Sequence, residues 1–196
     1  MAEVVLFHHV QGLTDGVRAF ADELRAGGHT VYTPDLFDGE LAATIDAGLE
    51  LVNRIGDETL DKRAAESLAG LPDSLVYGGF SYGGGMAQRF AQTRQGARGA
   101  LLYEAFVSLT AEWSFGPWPA GLPVQVHGMD GDPYFAEEGD LDAARELVAA
   151  VGPDVAELYT YPGDKHLFTD SSLPSYDPAA TAVVLSRSRE FLDRLS

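Results

Sequence analysis

The chain of 196 residues contains no cysteine. Disulfides, thiolate metal sites and a cysteine nucleophile are thereby excluded. It is also poor in cations: 13 Lys and Arg stand against 30 Asp and Glu, a formal charge of −17. A field of that sign disfavours nucleic acid, anionic membranes and polyanionic substrates. Its simplest use is solubility. An anionic substrate would need a local basic patch, and the sequence shows none. No apolar stretch approaches the roughly 20 residues of a membrane span. The opening Met1-Ala2-Glu3 and the short run at 4–7 lack the basic lead and apolar core of a secretory signal. These absences predict a cytoplasmic protein with neither membrane nor nucleic-acid partners. The length suits one domain over 1–196 with a substantial core, and there is no internal repeat or low-complexity linker.

What is present alternates. Strand-like runs fall at 3–8 (EVVLFH), 30–33 (TVYT), 75–77, 99–103 (GALLY), 123–127 (PVQVH) and 156–161 (AELYTY). Between them lie helix-spaced apolar sets: Val17, Phe20, Ala21 and Leu24; then Leu41, Ile45, Leu49 and Val52; then 58–68 and 86–92; and Leu141, Ala144 and Val148. A final helix is expected at 178–195. Strands separated by helices predict a compact α/β fold with a mostly parallel sheet of about six or more strands, helices on both faces and no lid domain. The proline-rich stretch 113–123 reads as a loop near the carboxyl edge of that sheet, where ligands of open α/β sheets bind.

One segment reads as a catalytic device: Gly79-Phe80-Ser81-Tyr82-Gly83, entered from an apolar run and followed by a helix-compatible stretch. Gly-x-Ser-x-Gly is the nucleophile elbow of α/β-hydrolases, the strand-to-helix turn that exposes a serine oxygen. With 22 glycines and eleven serines in the chain, chance supplies about 0.14 such matches, so context must carry the assignment. A phosphate-binding P-loop is excluded, because no Gly-Lys-Ser/Thr follows, and Gly-x-Gly-x-x-Gly is absent.

A serine nucleophile needs a base, and the base needs a carboxylate. In this architecture their order is Ser, acid, His. Of the histidines after Ser81, His166 lies in a loop just past the last strand, and His127 ends the strand before it. His166 is the expected base. The acid should follow the 123–127 strand, where Asp130 and Asp132 qualify. Asp132 is favoured, because Asp-Pro-aromatic turns the chain sharply and can aim a carboxylate at the imidazole; Asp130 suits a turn or a cap. The same acids do not make a Ca²⁺ loop, since Pro133, Tyr134 and Phe135 stand where further ligands and glycine belong. The oxyanion donors are expected at the amides of Tyr82 and Val10. His8 and His9 begin the first loop; adjacent strand residues point to opposite faces, so at most one should face Ser81. His9 and Asp130 are the expected additional pocket residues.

On these residues the chain resembles the dienelactone hydrolase family over nearly its whole length. The resemblance rests on the run 4–39, the elbow, Asp132-Pro133-Tyr134-Phe135, and Tyr161-Pro162-Gly163-x-x-His166-x-Phe168. It implies a compact α/β-hydrolase fold, hydrolysis of esters or lactones, no cofactor and no metal. It implies a triad of Ser81, Asp132 and His166, with oxyanion donors at Val10 and Tyr82. Three departures stand out. The family's elbow cysteine is Ser81 here. A glutamate of its first loop is replaced by His9, and an arginine four residues past the histidine, which helps bind a substrate carboxylate, is Asp170. A neutral ester, lactone or thioester is therefore the expected small-molecule substrate. The alternatives are a thioesterase or acyltransferase, or a binding module that retains the fold without catalysis. Monomer and homodimer are not distinguished by the sequence.

Overall fold

Runs with apolar residues at consecutive positions must be covered on both faces. In the computed structural model, which describes residues 1–196, Val4, Val5, Leu6 and Phe7 are all fully buried. Six strands form one sheet: β1 (Glu3–Phe7), β2 (Thr30–Tyr32), β3 (Val76–Phe80), β4 (Gly99–Tyr103), β5 (Val124–Met129) and β6 (Ala156–Tyr161). Every pairing is parallel, and the order is β2-β1-β3-β4-β5-β6. The helices are α1 (Asp15–Ala26), α2 (Ile45–Ile55), α3 (Asp57–Ser67), α4 (Tyr82–Thr93), α5 (Asp140–Val151) and α6 (Pro178–Arg194).

Alternation along the strands divides the core into two layers. Val5, Phe7 and Tyr77 join Leu51 of α2, Leu60 of α3, Met86 and Ala87 of α4 and Leu147 of α5. Val4, Leu6, Val76 and Phe80 join Phe20 and Leu24 of α1 and Val184 and Phe191 of α6. Each fully buried Leu, Val or Phe contributes about 2 kcal/mol of transfer free energy, so both layers of helices are held mainly by their apolar stripes. Side-chain caps set where helices begin. Thr14 Oγ1 accepts from Val17 N at 3.1 Å, Thr44 Oγ1 from Ala47 N at 3.1 Å, and Asp177 from Ala179 N and Ala180 N ahead of Pro178. The Thr44 cap explains why α2 starts at Ile45 and leaves the periodic Leu41 outside, exposed.

This order places the topological switch between β1 and β3, where chain progression reverses direction across the sheet. A crevice forms there at the carboxyl edge. The loop through 113–123 only partly follows expectation. Trp113 and Phe115 reach the crevice at the carboxyl edge. The chain then descends: Trp118 Nε1 donates to Leu122 O at 2.8 Å, and Pro123 O accepts from Ala100 N at 2.9 Å, at the start of β4 and β5. The connection must cross the full height of a parallel sheet, so only its first half can lie at the ligand edge. No helix is long and apolar enough to cross a membrane.

Candidate active site

Ser81 stands directly between β3 and α4, with φ 48° and ψ −116°. A non-glycine residue held there costs about 1–3 kcal/mol. Its neighbours fix the turn. Ser81 N donates to Tyr103 O at 2.8 Å, and Ser81 O accepts from Gly84 N at 2.7 Å. The glycines on either side serve close approach. A Cβ on Gly79 would lie 2.1 Å from Gly83 O; one on Gly83 would lie 2.4 Å from His8 O and 2.5 Å from Phe7 O. Helix α4 therefore rests backbone to backbone on the end of β1. Gly83→Ala tests this packing with a sign that decides the matter. In an open helix the change stabilises by about 1 kcal/mol. Against rigid carbonyls it costs about 3 kcal/mol net, and Tm should fall by roughly 10 °C. An unchanged or raised Tm in a thermal melt would show that the elbow is looser than this.

A continuous hydrogen-bonded chain runs from Ser81. The hydroxyl lies 2.8 Å from His166 Nε2, and His166 Nδ1 lies 2.7 Å from Asp132 Oδ2. Asp132 is fully buried, so its only role for Oδ2 is to accept from Nδ1–H, which leaves Nε2 as the acceptor of the serine proton. Asp132 Oδ1 accepts from the amides of Tyr134 at 2.9 Å and Phe135 at 3.2 Å. The Asp-Pro-aromatic turn thus supplies the donors that hold its own carboxylate. Burial alone would push the His166 imidazole down. The hydrogen bond that the imidazole donates to Asp132 and the negative fields of Glu104, Asp132 and Asp140 outweigh it and hold the group above its usual value.

Val10 and Tyr82, whose amides are the expected oxyanion donors, both line the cavity at Ser81. Val10 N makes no hydrogen bond, and Tyr82 N, the first of α4, has no intrahelical acceptor. A backbone donor without a partner at a crevice is available to an incoming oxygen.

The other expected pocket residues lie elsewhere. His9 is fully buried and does not line the cavity. Its Nδ1 accepts from Gln11 N at 3.2 Å, and its Nε2 donates to Asp170 Oδ2 at 2.8 Å. Asp170 also accepts from Thr14 Oγ1 and from Ser172. Two of the positions that depart from the family pattern, His9 and Asp170, are thus bonded to each other, tying the first loop to the histidine loop. Asp130 faces solvent and accepts from Gly163 N at 3.2 Å, fastening the loop after β5 to the loop after β6. His8, the other strand-end histidine, is turned inward: Nδ1 donates to His9 O at 2.8 Å and Nε2 accepts from Leu36 N at 3.0 Å. Burial pushes it down to about 4, so it is neutral.

The cavity has a volume of about 730 Å³. Val10, Met86, Val107, Trp113, Phe115 and Tyr134 supply its apolar wall. Its one cation, Arg89, is already 2.6 Å from Asp61. Sequence reasoning missed Glu104 and Asp140. Burial pushes Glu104 up to about 7 and Asp140 up to about 6. A visible signal for Glu104 existed: an acid immediately after the strand 99–103 must emerge at the ligand edge.

The family model for the dienelactone hydrolase family matches residues 1–196. No curated protein sequence matches the chain. Among solved structures, similar folds include a Klebsiella pneumoniae protein assigned as a dienelactone hydrolase, with 17% identity, 99% of this chain and 87% of that chain covered, and a TM-score of 0.76. A dienelactone hydrolase-like promiscuous phosphotriesterase from metagenomic libraries shows 19% identity, coverage of 100% and 87%, and a TM-score of 0.73. An esterase from Thermogutta terrifontis, solved with propionate bound, shows 16% identity, coverage of 100% and 84%, and a TM-score of 0.64.

Proposed function

Because the chain belongs to the dienelactone hydrolase family, and is on that ground an ester-hydrolysing enzyme, we propose that it hydrolyses small neutral esters or lactones through Ser81, His166 and Asp132. The observation that carries the reading is the unbroken chain of hydrogen bonds from Ser81 Oγ through His166 to Asp132. Ser81 Oγ attacks the carbonyl carbon while its proton passes to His166 Nε2. Asp132 stabilises the imidazolium that results. The oxyanion accepts from the amides of Val10 and Tyr82. As the tetrahedral intermediate collapses, His166 protonates the departing alcohol and leaves an acyl-Ser81. Water, deprotonated by His166, then releases the acid and restores the hydroxyl. Each atom in this sequence belongs to the chain, the ester or water, and no cofactor enters.

The substrate's charge follows from the walls. Arg89 is paired, Asp170 is engaged by His9, and Asp57, Asp61, Glu104, Glu138 and Asp140 border the cavity. An ester whose acyl chain ends in a carboxylate would meet carboxylates and no free cation. For such an ester kcat/KM should be about tenfold or more below that of the neutral 4-nitrophenyl ester of equal length, because facing like charges are costly. Equal or better turnover of the anionic ester would reverse this assignment. A fluorophosphonate, which reports an activated serine directly, should label the protein at neutral pH. Absence of labelling together with absence of turnover across a panel of esters would favour the retained-fold binding module.

A further inference from the structure

Glu104 is the residue beside the nucleophile on the neighbouring strand. The register pairs Phe80 with Tyr103, so the next residue on each strand, Ser81 and Glu104, leaves the sheet at the same height. Both do so with positive φ, 48° and 58°. Glu104 N donates to His127 O at 2.6 Å, which ties this departure to β5, the strand that leads into the loop of Asp132. The side chain is 2% exposed. It borders the same cavity as Ser81 and His166. Its Oε1 accepts from Thr169 Oγ1 at 3.3 Å, three residues past His166. Its Oε2 is buried with no partner. Such an atom is costly to keep, and nothing in the packing of β4 requires an acid there. The charged and titratable groups around it are His166 from the loop after β6, Asp132 from the loop after β5, Asp140 at the start of α5 and Glu138 just before that helix. Of these only His166 can be positive.

We propose that Glu104 is a second carboxylate serving His166, a positioning residue whose charge stabilises the imidazolium formed when Ser81 loses its proton. The inference rests on the Ser81–His166–Asp132 reading. Its consequence is that the enzyme gains activity as Glu104 ionises, and burial places that ionisation at about 7. The sign for stability is opposite. A carboxyl raised in the folded state favours folding below its unfolded value and loses that benefit as pH rises through its folded value. Glu104 should therefore weaken the fold in the range where it assists turnover.

The test measures kcat, KM and the thermal midpoint of Glu104→Gln and Glu104→Asp from pH 5 to 9, on the neutral 4-nitrophenyl ester. In Glu104→Gln the plateau kcat should fall about tenfold, the worth of one pKa unit, with KM within about twofold. The acid-limb midpoint should move to lower pH, because a charge that raises His166 is gone. At pH 9 the Gln variant should unfold at a higher temperature than the parent. Glu104→Asp keeps the charge and should keep the parental acid midpoint. Parental kcat and midpoint in folded Glu104→Gln would overturn the proposal. If the Gln variant does not fold, an Asp variant with a shifted midpoint would overturn it equally. Retained turnover in Ser81→Ala, by contrast, would remove the reading beneath it and leave Glu104's profile without a histidine to act on.

Discussion

Ser81→Ala is expected to lower kcat on a short-chain chromogenic ester by about 10⁴-fold or more and to abolish phosphonate labelling, while the melting curve stays close to that of the parent. The size follows from what is lost. The reaction splits into two steps only because an oxygen at position 81 forms and then surrenders an ester bond. Without it, the remaining donors can at best orient water, and removal of one member of such a set costs nearly as much as removal of all. Stability should hold because the strained backbone of Ser81, at φ 48°, is stabilised by its own amide and carbonyl and by the packing of Gly79 and Gly83. Alanine meets the same backbone cost. Full turnover by this variant would remove Ser81 from the chemistry altogether.

Asp132→Asn should cost about 10⁴-fold in kcat, with KM little changed. The mechanism is a matter of protons, since the geometry should survive. Asp132 Oδ2 can only accept, which keeps the proton of the neutral imidazole on Nδ1. An amide in the same place can donate to Nδ1, moving that proton to Nε2. The face toward Ser81 Oγ, 2.8 Å away, then carries a hydrogen and cannot take another. Asp130→Asn, measured beside it, should change kcat by less than about twofold, because Asp130 serves Gly163 N at the surface. A larger loss in Asp130→Asn than in Asp132→Asn would exchange the two assignments.

The sequence disclosed the alternation of strands and helices, because strands buried on both faces read as short apolar blocks and surface helices as 3.6-residue periods. Its errors lie at the ends of elements. The Thr44 cap excludes Leu41 from α2, and α4 extends back to Tyr82 because a helix can begin immediately after a strained residue. At the site, the hydrogen-bonded grouping of Ser81, His166 and Asp132 was legible because the elbow imposes glycines through backbone contact, and the order of the three residues follows the strand order. The partners of His9 were not legible. Whether a strand-end histidine faces the cavity or the interior depends on one peptide's rotation, and its bond to Asp170 joins residues far apart in sequence. The place of Glu104 directly after the strand 99–103 was legible; its turn into the cavity was not, because the positive φ that turns it out of β4 leaves no mark in its residue type.

The bond between His9 and Asp170 spans 161 positions. Closing a flexible loop of that length costs about 4 kcal/mol or more in chain entropy, which must be offset by the sheet that brings the two loops together. Val10 follows His9 directly and His166 lies four residues before Asp170, so this one bond fastens the loop of Val10 to the loop of His166. On the proposed mechanism, a chain that holds the elbow but has not closed the loop after β6 has Ser81 without the imidazole that His166 places 2.8 Å from it.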